Sequence, residues 1–283
     1  MIEKIPFLRP ILPQLELLHS KVFPAWYVRS YAKAFVQFDQ EVLLLPFLVP
    51  SGSTAVDVGA HIGAYVWHLL RLTNSVEAFE PNPDLIRFLG RAFKEKIKLH
   101  DVALSDQDGQ AALEIPLDGI TGSLKPQEAH LTTVPSTNSA AAGTFFIVNS
   151  KKLDDFNLKN IGFMKIDVEG HELNVLRGCS EILRVQKPNL LIEAEERHKA
   201  DAVPLLQTHL SKYGYRGYFL RHGQLCPISM FRPDMQDVRN LVSVNSGAAR
   251  DYINNFVFVH SDRSDDFEAA FHDNIAIQSP PLS

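Results

Sequence analysis

A chain of 283 residues, 45% hydrophobic and 22% charged, is long and apolar enough to bury a full core as one domain with embellishments. Its net charge of −5 and pI of about 6.1 leave no basic excess for a nucleic-acid backbone, and no Lys/Arg run forms a polybasic membrane patch. Pro6, Pro10 and Pro13 break the apolar start before an integral membrane segment can form, and Cys179 and Cys226 make no CxxC pair, which fits a reducing, cytoplasmic setting.

From Ala25 to about Leu45 the residues Trp26, Tyr27, Tyr31, Phe35, Phe38, Val42 and Leu45 recur at roughly helical spacing. They predict a helix lying over the core or over the mouth of an active site. Residues 1–50 are read as a helical leader whose aromatic side chains also offer a surface for homo-oligomer formation. Pro50-Ser51-Gly52-Ser53 then turns the chain into the main domain, taken as residues 51–263, with 264–283 as a C-terminal tail.

The domain opens on Val56-Asp57-Val58-Gly59-Ala60-His61-Ile62-Gly63, a short apolar strand running into a glycine turn. Glycine has no Cβ and tolerates unusual φ/ψ, so such a turn lets the backbone approach a bound nucleotide closely. Phe79-Glu80-Pro81-Asn82 ends the next strand, and a carboxylate placed there, roughly 20 residues on, suits ribose hydroxyls. A dinucleotide fingerprint would need glycine where His61 and Ala64 stand, which disfavours NAD. A phosphate-cradling loop would need Gly-Lys-Ser/Thr where Gly63-Ala64-Tyr65 stand, which disfavours ATP and GTP.

Asn82 is placed to cap a helix with Pro83 at its first position, and Leu85, Phe88, Leu89, Ala92 and Phe93 repeat as one apolar face. Further strands are predicted at Ile97 to Leu99, Gly162 to Ile166, Asn189 to Ile192, Gly217 to Leu220 and Phe256 to Val259. A helix follows Asp201 with Val203, Leu206 and Leu210 on one side. This alternation predicts an open, largely parallel sheet covered on both faces, with ligands outside the carboxyl ends of the strands. Asp57, Glu80, Asp101, Asp167 and Glu193 all fall at those ends. Residues 116–145 interrupt the pattern: Thr132 to Thr144 contains no charge and no large aromatic, and a loop of this length reads either as a functional lid or as disordered.

In Phe163-Met164-Lys165-Ile166-Asp167-Val168-Glu169-Gly170-His171-Glu172, strand alternation puts Lys165 and Asp167 on the same face. Asp167 and Glu169 precede a helix whose positive end favours their ionised forms, and His171 on that first turn is read as a neutral proton acceptor. A zinc-protease motif would need histidine at Val175, and fails there.

Val56 to Gly63, Ala78 to Asn82, Val102-Ala103-Leu104-Ser105, Lys165 to Glu172 and Asn255 to Val259 together resemble the FkbM-type methyltransferases, in the right order from about Phe38 to His260. The resemblance implies a Rossmann-like class I methyltransferase fold: a seven-stranded, mostly parallel α/β sheet whose last pair forms a reversed hairpin. It implies S-adenosylmethionine as cofactor and O-methylation of a small-molecule or glycan substrate: a saccharide, glycolipid or polyketide-type natural product. Carried over by position, Asp57, Gly59, Ala60, His61 and Gly63 line its methionine and ribose side, Glu80, Pro81 and Asn82 its ribose, and Asp101, Val102 and Ala103 its adenine. His61 and Asp101 stand where the family commonly has asparagine.

Asp167 is the first candidate for organising the reaction, also beside the cofactor, with Glu169, His171, Glu193 and its partner Lys165 behind it. Two alternatives carry different expectations. Asp167, Glu193 and Glu195 offer oxygen ligands to Mg²⁺ for a metal-assisted transfer to a diol, whereas a chain that keeps only the fold would be a non-catalytic nucleotide-binding module.

Overall fold

The computed structural model of the protein describes residues 22–36, 39–116, 129–132, 143–237, 239 and 252–278. The leader before Val22 and most of the Thr132 to Thr144 stretch lie outside the described residues.

Alternation within the strands builds two cores, one on each side of a single sheet. In β1 (Thr54–Val58), Val56 and Val58 join one apolar cluster and Ala55 joins the other. The same division runs through β8 (Ile161–Ile166), where Met164 and Ile166 oppose Phe163, and β9 (Asn189–Glu193), where Leu190 and Ile192 oppose Leu191. In β12 (Asn255–His260), Phe256 and Phe258 oppose Val257 and Val259. Successive side chains on a strand point to opposite faces, so a strand apolar at every position must be covered twice.

Parallel pairing joins β1 to β8, β8 to β9, β1 to β2 (Ser75–Phe79) and β2 to β3 (Lys98–His100). β12 runs antiparallel between β9 and β10 (Tyr215–Arg221). All seven strands expected from the sequence are thus present, and of these β12 alone runs against the rest, making the reversed hairpin with β10. An eighth, β11 (Gln224–Pro227), pairs with β10 at the edge, giving the order β11-β10-β12-β9-β8-β1-β2-β3. The turn that adds it uses His222 and Gly223, both at positive φ as a two-residue hairpin of this hand demands.

On one face lie α1 (Pro24–Phe35), α2 (Ala64–Leu69), α3 (Pro83–Phe93) and α7 (Ser261–Gln278); on the other lie α4 (Glu172–Arg177), α5 (Ser180–Val185) and α6 (Ala202–Ser211). Asn82 caps α3 as read from the sequence, its Oδ1 accepting from the Asp84 amide at 2.9 Å. The single helix read from Ala25 to Leu45 is instead α1, a 3₁₀ turn at Gln40–Leu44 and a helical turn at Leu45–Leu48 with Pro46 inside it. Of the residues read as a tail, 264–278 belong to α7, which buries Phe267 and Phe271, and 279–283 lie outside the described residues.

Between β3 and β8 the chain makes a second sheet of order β4-β7-β5-β6, from β4 (Ala103–Leu104), β5 (Gly109–Pro116), β6 (His130–Thr132) and β7 (Gly143–Lys151). Its own small core is Ala103, Leu113 and Val148. The described ends of the segment read as a lid or disordered loop are therefore strand.

Candidate active site

A cavity of about 350 Å³ opens at the carboxyl ends of β1, β2, β8 and β9. Ligand sites on open parallel sheets form at this edge, where strand ends release side chains and loop amides into one crevice. The second sheet covers it with Leu113, His130 and Leu131, and Tyr31 and Phe35 of α1 close its mouth.

Its floor is the turn after β1. Gly59 sits at φ +81 with its amide and that of Ala60 both donating to the Phe79 carbonyl, at 3.0 and 3.1 Å. A Cβ on Gly59 would meet the Asp167 carbonyl oxygen at 1.9 Å, so backbone abuts backbone here. Gly63, at φ +83, works differently: its missing Cβ makes room for Phe93 and Leu89 of α3, and it does not line the cavity.

Glu80 is held on both carboxyl oxygens by backbone amides at the cavity. One oxygen accepts the His61 amide at 2.8 Å and the other accepts the Asn82 amide at 2.9 Å. His61 reaches that geometry at φ +48, which is unusual for a residue with a side chain. Burial pushes the Glu80 carboxyl up to about 7 against the pull of these two amides. Asp57 is also raised to about 7, by burial first and with Asp167 adding to it, while Lys165 pulls it down. Its Oδ2 is buried with no hydrogen-bond partner, a cost a folded protein accepts where a ligand completes the bond.

At the ends of β8 and β9, Lys165 is 1% exposed and its Nζ lies 3.1 Å from Asp167 Oδ2 and 4.0 Å from Glu193 Oε2. Burial disfavours its charge, but Asp167, Glu193, Asp39 and Asp57 outweigh that and hold the ammonium above its usual range. Glu193 moves the other way: burial and the neighbouring Asp167 raise it well above the carboxylate range, although about a quarter of its side chain is open to the cavity. Its Oε1 accepts from Asn254 Nδ2 at 2.6 Å. Glu169 lies 2.8 Å from His198 Nε2, and that contact raises His198.

Residues 57–217, more than half of the chain, match the Methyltransferase FkbM domain. The chain belongs to the FkbM methyltransferase family. Methyltransferase 1 of the fungus Beauveria bassiana is 27% identical over 184 residues, covering 55% of this chain and 72% of that protein. The FkbM methyltransferase structure from Methylobacillus flagellatus KT aligns at 17% identity with TM-score 0.47, covering 73% of this chain but only 43% of that one. A Streptococcus mutans protein described as a methyltransferase, solved in complex with SAH, aligns at 11% identity with TM-score 0.42, covering 78% of this chain and 97% of its own. The family match over residues 57–217 makes methyl transfer this chain's class of reaction.

In this FkbM chain the cavity brings together Asp57, Gly59, Ala60, His61, Glu80, Pro81, Val102, Ala103, Lys165, Asp167, Glu169 and Glu193. Four residues proposed from the sequence lie elsewhere. Asn82 is buried in its capping role, apart from its amide, and Gly63 packs α3. Asp101 is exposed beyond the wall that Val102 and Ala103 form. His171 turns to Ser105, Nε2 to Oγ 2.9 Å, and burial lowers its basicity despite nearby Asp106. That contact ties the start of α4 to the end of β4.

The Mg²⁺ reading does not suit the side chains present. Asp167 and Glu193 flank an ammonium, and Glu195 is bound by Arg197 and by the Tyr252 hydroxyl. Among the described residues no group of three or more His, Cys, Asp or Glu is arranged to hold a metal. Also among them, no helix is long and apolar enough to cross a membrane.

Sequence reasoning passed over Tyr31, Phe35, Tyr65, His130 and Arg197 as cavity residues. Only the aromatic spacing of Tyr31 and Phe35 carried a signal, since it allowed a helix at the mouth.

Proposed function

We propose that this chain transfers the methyl group of S-adenosylmethionine to a hydroxyl oxygen of a saccharide, glycolipid or polyketide-type natural product, as a cytoplasmic enzyme. The observation that carries this reading is Glu80, held at the cavity edge by two backbone amides, one on each oxygen. A carboxylate fixed in this way retains one lone pair per oxygen for vicinal ribose hydroxyls. The unpartnered Asp57 oxygen suits a cationic amino group near the glycine turn, and Phe79, Val102 and Leu104 offer an apolar wall for a planar base.

S-adenosylmethionine, when bound, supplies a methyl group activated on a sulfonium. The protein's own work is then to orient an acceptor hydroxyl in line and to take its proton. Of the two carboxyls beside Lys165, Asp167 is the first candidate to take that proton, because it follows β8 directly against the glycine turn, its carbonyl abutting Gly59. Glu169 is engaged by His198, and His171 lies behind the wall, so both rank below Asp167.

Calorimetric titration of wild type and Glu80→Gln with S-adenosylmethionine, SAH and NAD tests the reading. The wild type should bind the first two. Glu80→Gln should weaken both about 10- to 100-fold, the loss of one or two hydrogen bonds to a charged group. Binding of NAD alone, or unchanged affinity in Glu80→Gln, overturns it. Incubation with a panel of polyols and macrocyclic alcohols, read by a gain of one methyl in mass, then identifies the acceptor class.

A further inference from the structure

Lys165 is held from two sides by groups of different kinds. Asp167 Oδ2 lies on one side at 3.1 Å, and the face of the Tyr65 ring lies on the other, 4.8 Å from Nζ to the ring centre. A cation over an aromatic face is attracted by the ring's quadrupole, and more strongly when water is excluded. Here both partners are buried. The ring is itself pinned, since the Tyr65 hydroxyl donates to Asp39 Oδ2 at 2.8 Å and the edge of Phe35 packs on it with centroids 5.8 Å apart.

Tyr65 comes from the first turn of α2, directly after the glycine turn, and Asp39 comes from the segment between α1 and the domain. The chain Asp39, Tyr65, Lys165, Asp167 therefore links the leader to the floor of the cavity, and each contact in it has a direction. Without the ring, Lys165 answers to its carboxyl neighbours alone, Asp167 at 3.1 Å, Glu193 at 4.0 Å and, further off, Asp39 and Asp57.

We propose that Tyr65 is a positioning residue: by holding Lys165 against Asp167 Oδ2, it fixes the direction in which the Asp167 carboxylate meets the positively charged part of the cofactor. This rests on the functional reading above. It concerns a ring that also lines the cavity, and it makes the cavity's preference for a sulfonium over a neutral thioether depend on the contact of that ring with the lysine. S-adenosylmethionine carries that positive charge and SAH does not, so the ratio of their affinities reports the direction of the carboxylate.

The test is calorimetric titration of wild type, Tyr65→Phe, Tyr65→Leu and Tyr65→Met with both ligands, with thermal unfolding of each protein alongside. Tyr65→Phe keeps the ring and should hold the ratio within about threefold of wild type. Tyr65→Leu and Tyr65→Met remove it, and whichever of them folds should lower the ratio about tenfold, in line with a desolvated cation–π contact. A merely structural loss weakens both ligands together and leaves the ratio unchanged; that outcome overturns the proposal while the functional reading stands. A wild type that binds neither ligand overturns both.

Discussion

The floor and the roof of the cavity recognise by different means. On the floor, the contacts are between backbone atoms or from backbone amides to a carboxyl: Gly59 against the Asp167 carbonyl, and the His61 and Asn82 amides on Glu80. On the roof, β5 and β6 of the second sheet offer the side chains Leu113, His130 and Leu131, while β4 of the same sheet adds Ala103 and Leu104 to the wall beside the floor. On the floor the main chain fixes where the few recognising side chains, Glu80 and Asp57, can sit, whereas the roof presents only side chains that can be exchanged freely. The floor is thus suited to a ligand that never changes and the roof to one that does, which is how cofactor and acceptor would divide the cavity.

The strongest way to break that contrast is to put a side chain on the floor. Gly59→Ala should cost about 2–6 kcal/mol in urea unfolding. Left-handed backbone for a non-glycine residue costs about 1–3 kcal/mol, and forcing extra volume into a packed site adds about 1–3 kcal/mol. The φ of +81 and the 1.9 Å approach to the Asp167 oxygen call for both. A loss under about 1 kcal/mol would mean that the turn relaxes freely and that its backbone geometry is not the recognition element.

The floor should also titrate, because its two carboxyls are raised by burial to about 7 from ordinary values of 3.8 for Asp57 and 4.5 for Glu80. The sign follows from which form each partner needs. The unliganded fold favours the neutral carboxyls, so each contributes stability at low pH that is lost as pH rises toward 7. A ligand that donates hydroxyls to Glu80 or brings a cation to Asp57 favours the carboxylates instead. SAH affinity should therefore rise from pH 6 to 8 with proton release on binding, seen as a dependence of calorimetric heat on buffer ionisation. Affinity flat across that range would remove these carboxyls from the ligand's contacts.

Much of the floor was legible in the sequence, because strand ends and glycine turns are local features. Ala55, Val56 and Val58 mark β1 around its one acidic residue, Asp57, and the glycine, Glu80 and Lys165–Asp167 positions all followed from periodicity and spacing. What could not be read was which atom does the work. His61 matters through its amide, held at positive φ, and Asn82 through its own amide and cap, neither of which a residue type announces. His171 was misplaced for a related reason: its register on the turn before α4 sends the ring to Ser105 rather than to the cavity. Tyr65 and Asp39 were invisible as partners because their contact joins two elements across a long separation in the chain. The roof was missed because β5 and β7 flank the charge-free segment that reads as loop, and their antiparallel register is a long-range pairing.

The mildest perturbation is aimed at that roof. Leu131 packs against the small core of Ala103, Leu113 and Val148 and also lines the cavity, partly buried. Leu131→Ala should cost about 1–2 kcal/mol, less than the 2–5 kcal/mol of a fully buried leucine, since much of the side chain already faces the open cavity. If the division of labour is right, affinities for S-adenosylmethionine and SAH stay within about twofold of wild type, because the floor that would hold them is untouched. A tenfold loss for both in a protein with near-normal unfolding would place the roof in contact with the cofactor and break the division of the cavity between floor and roof.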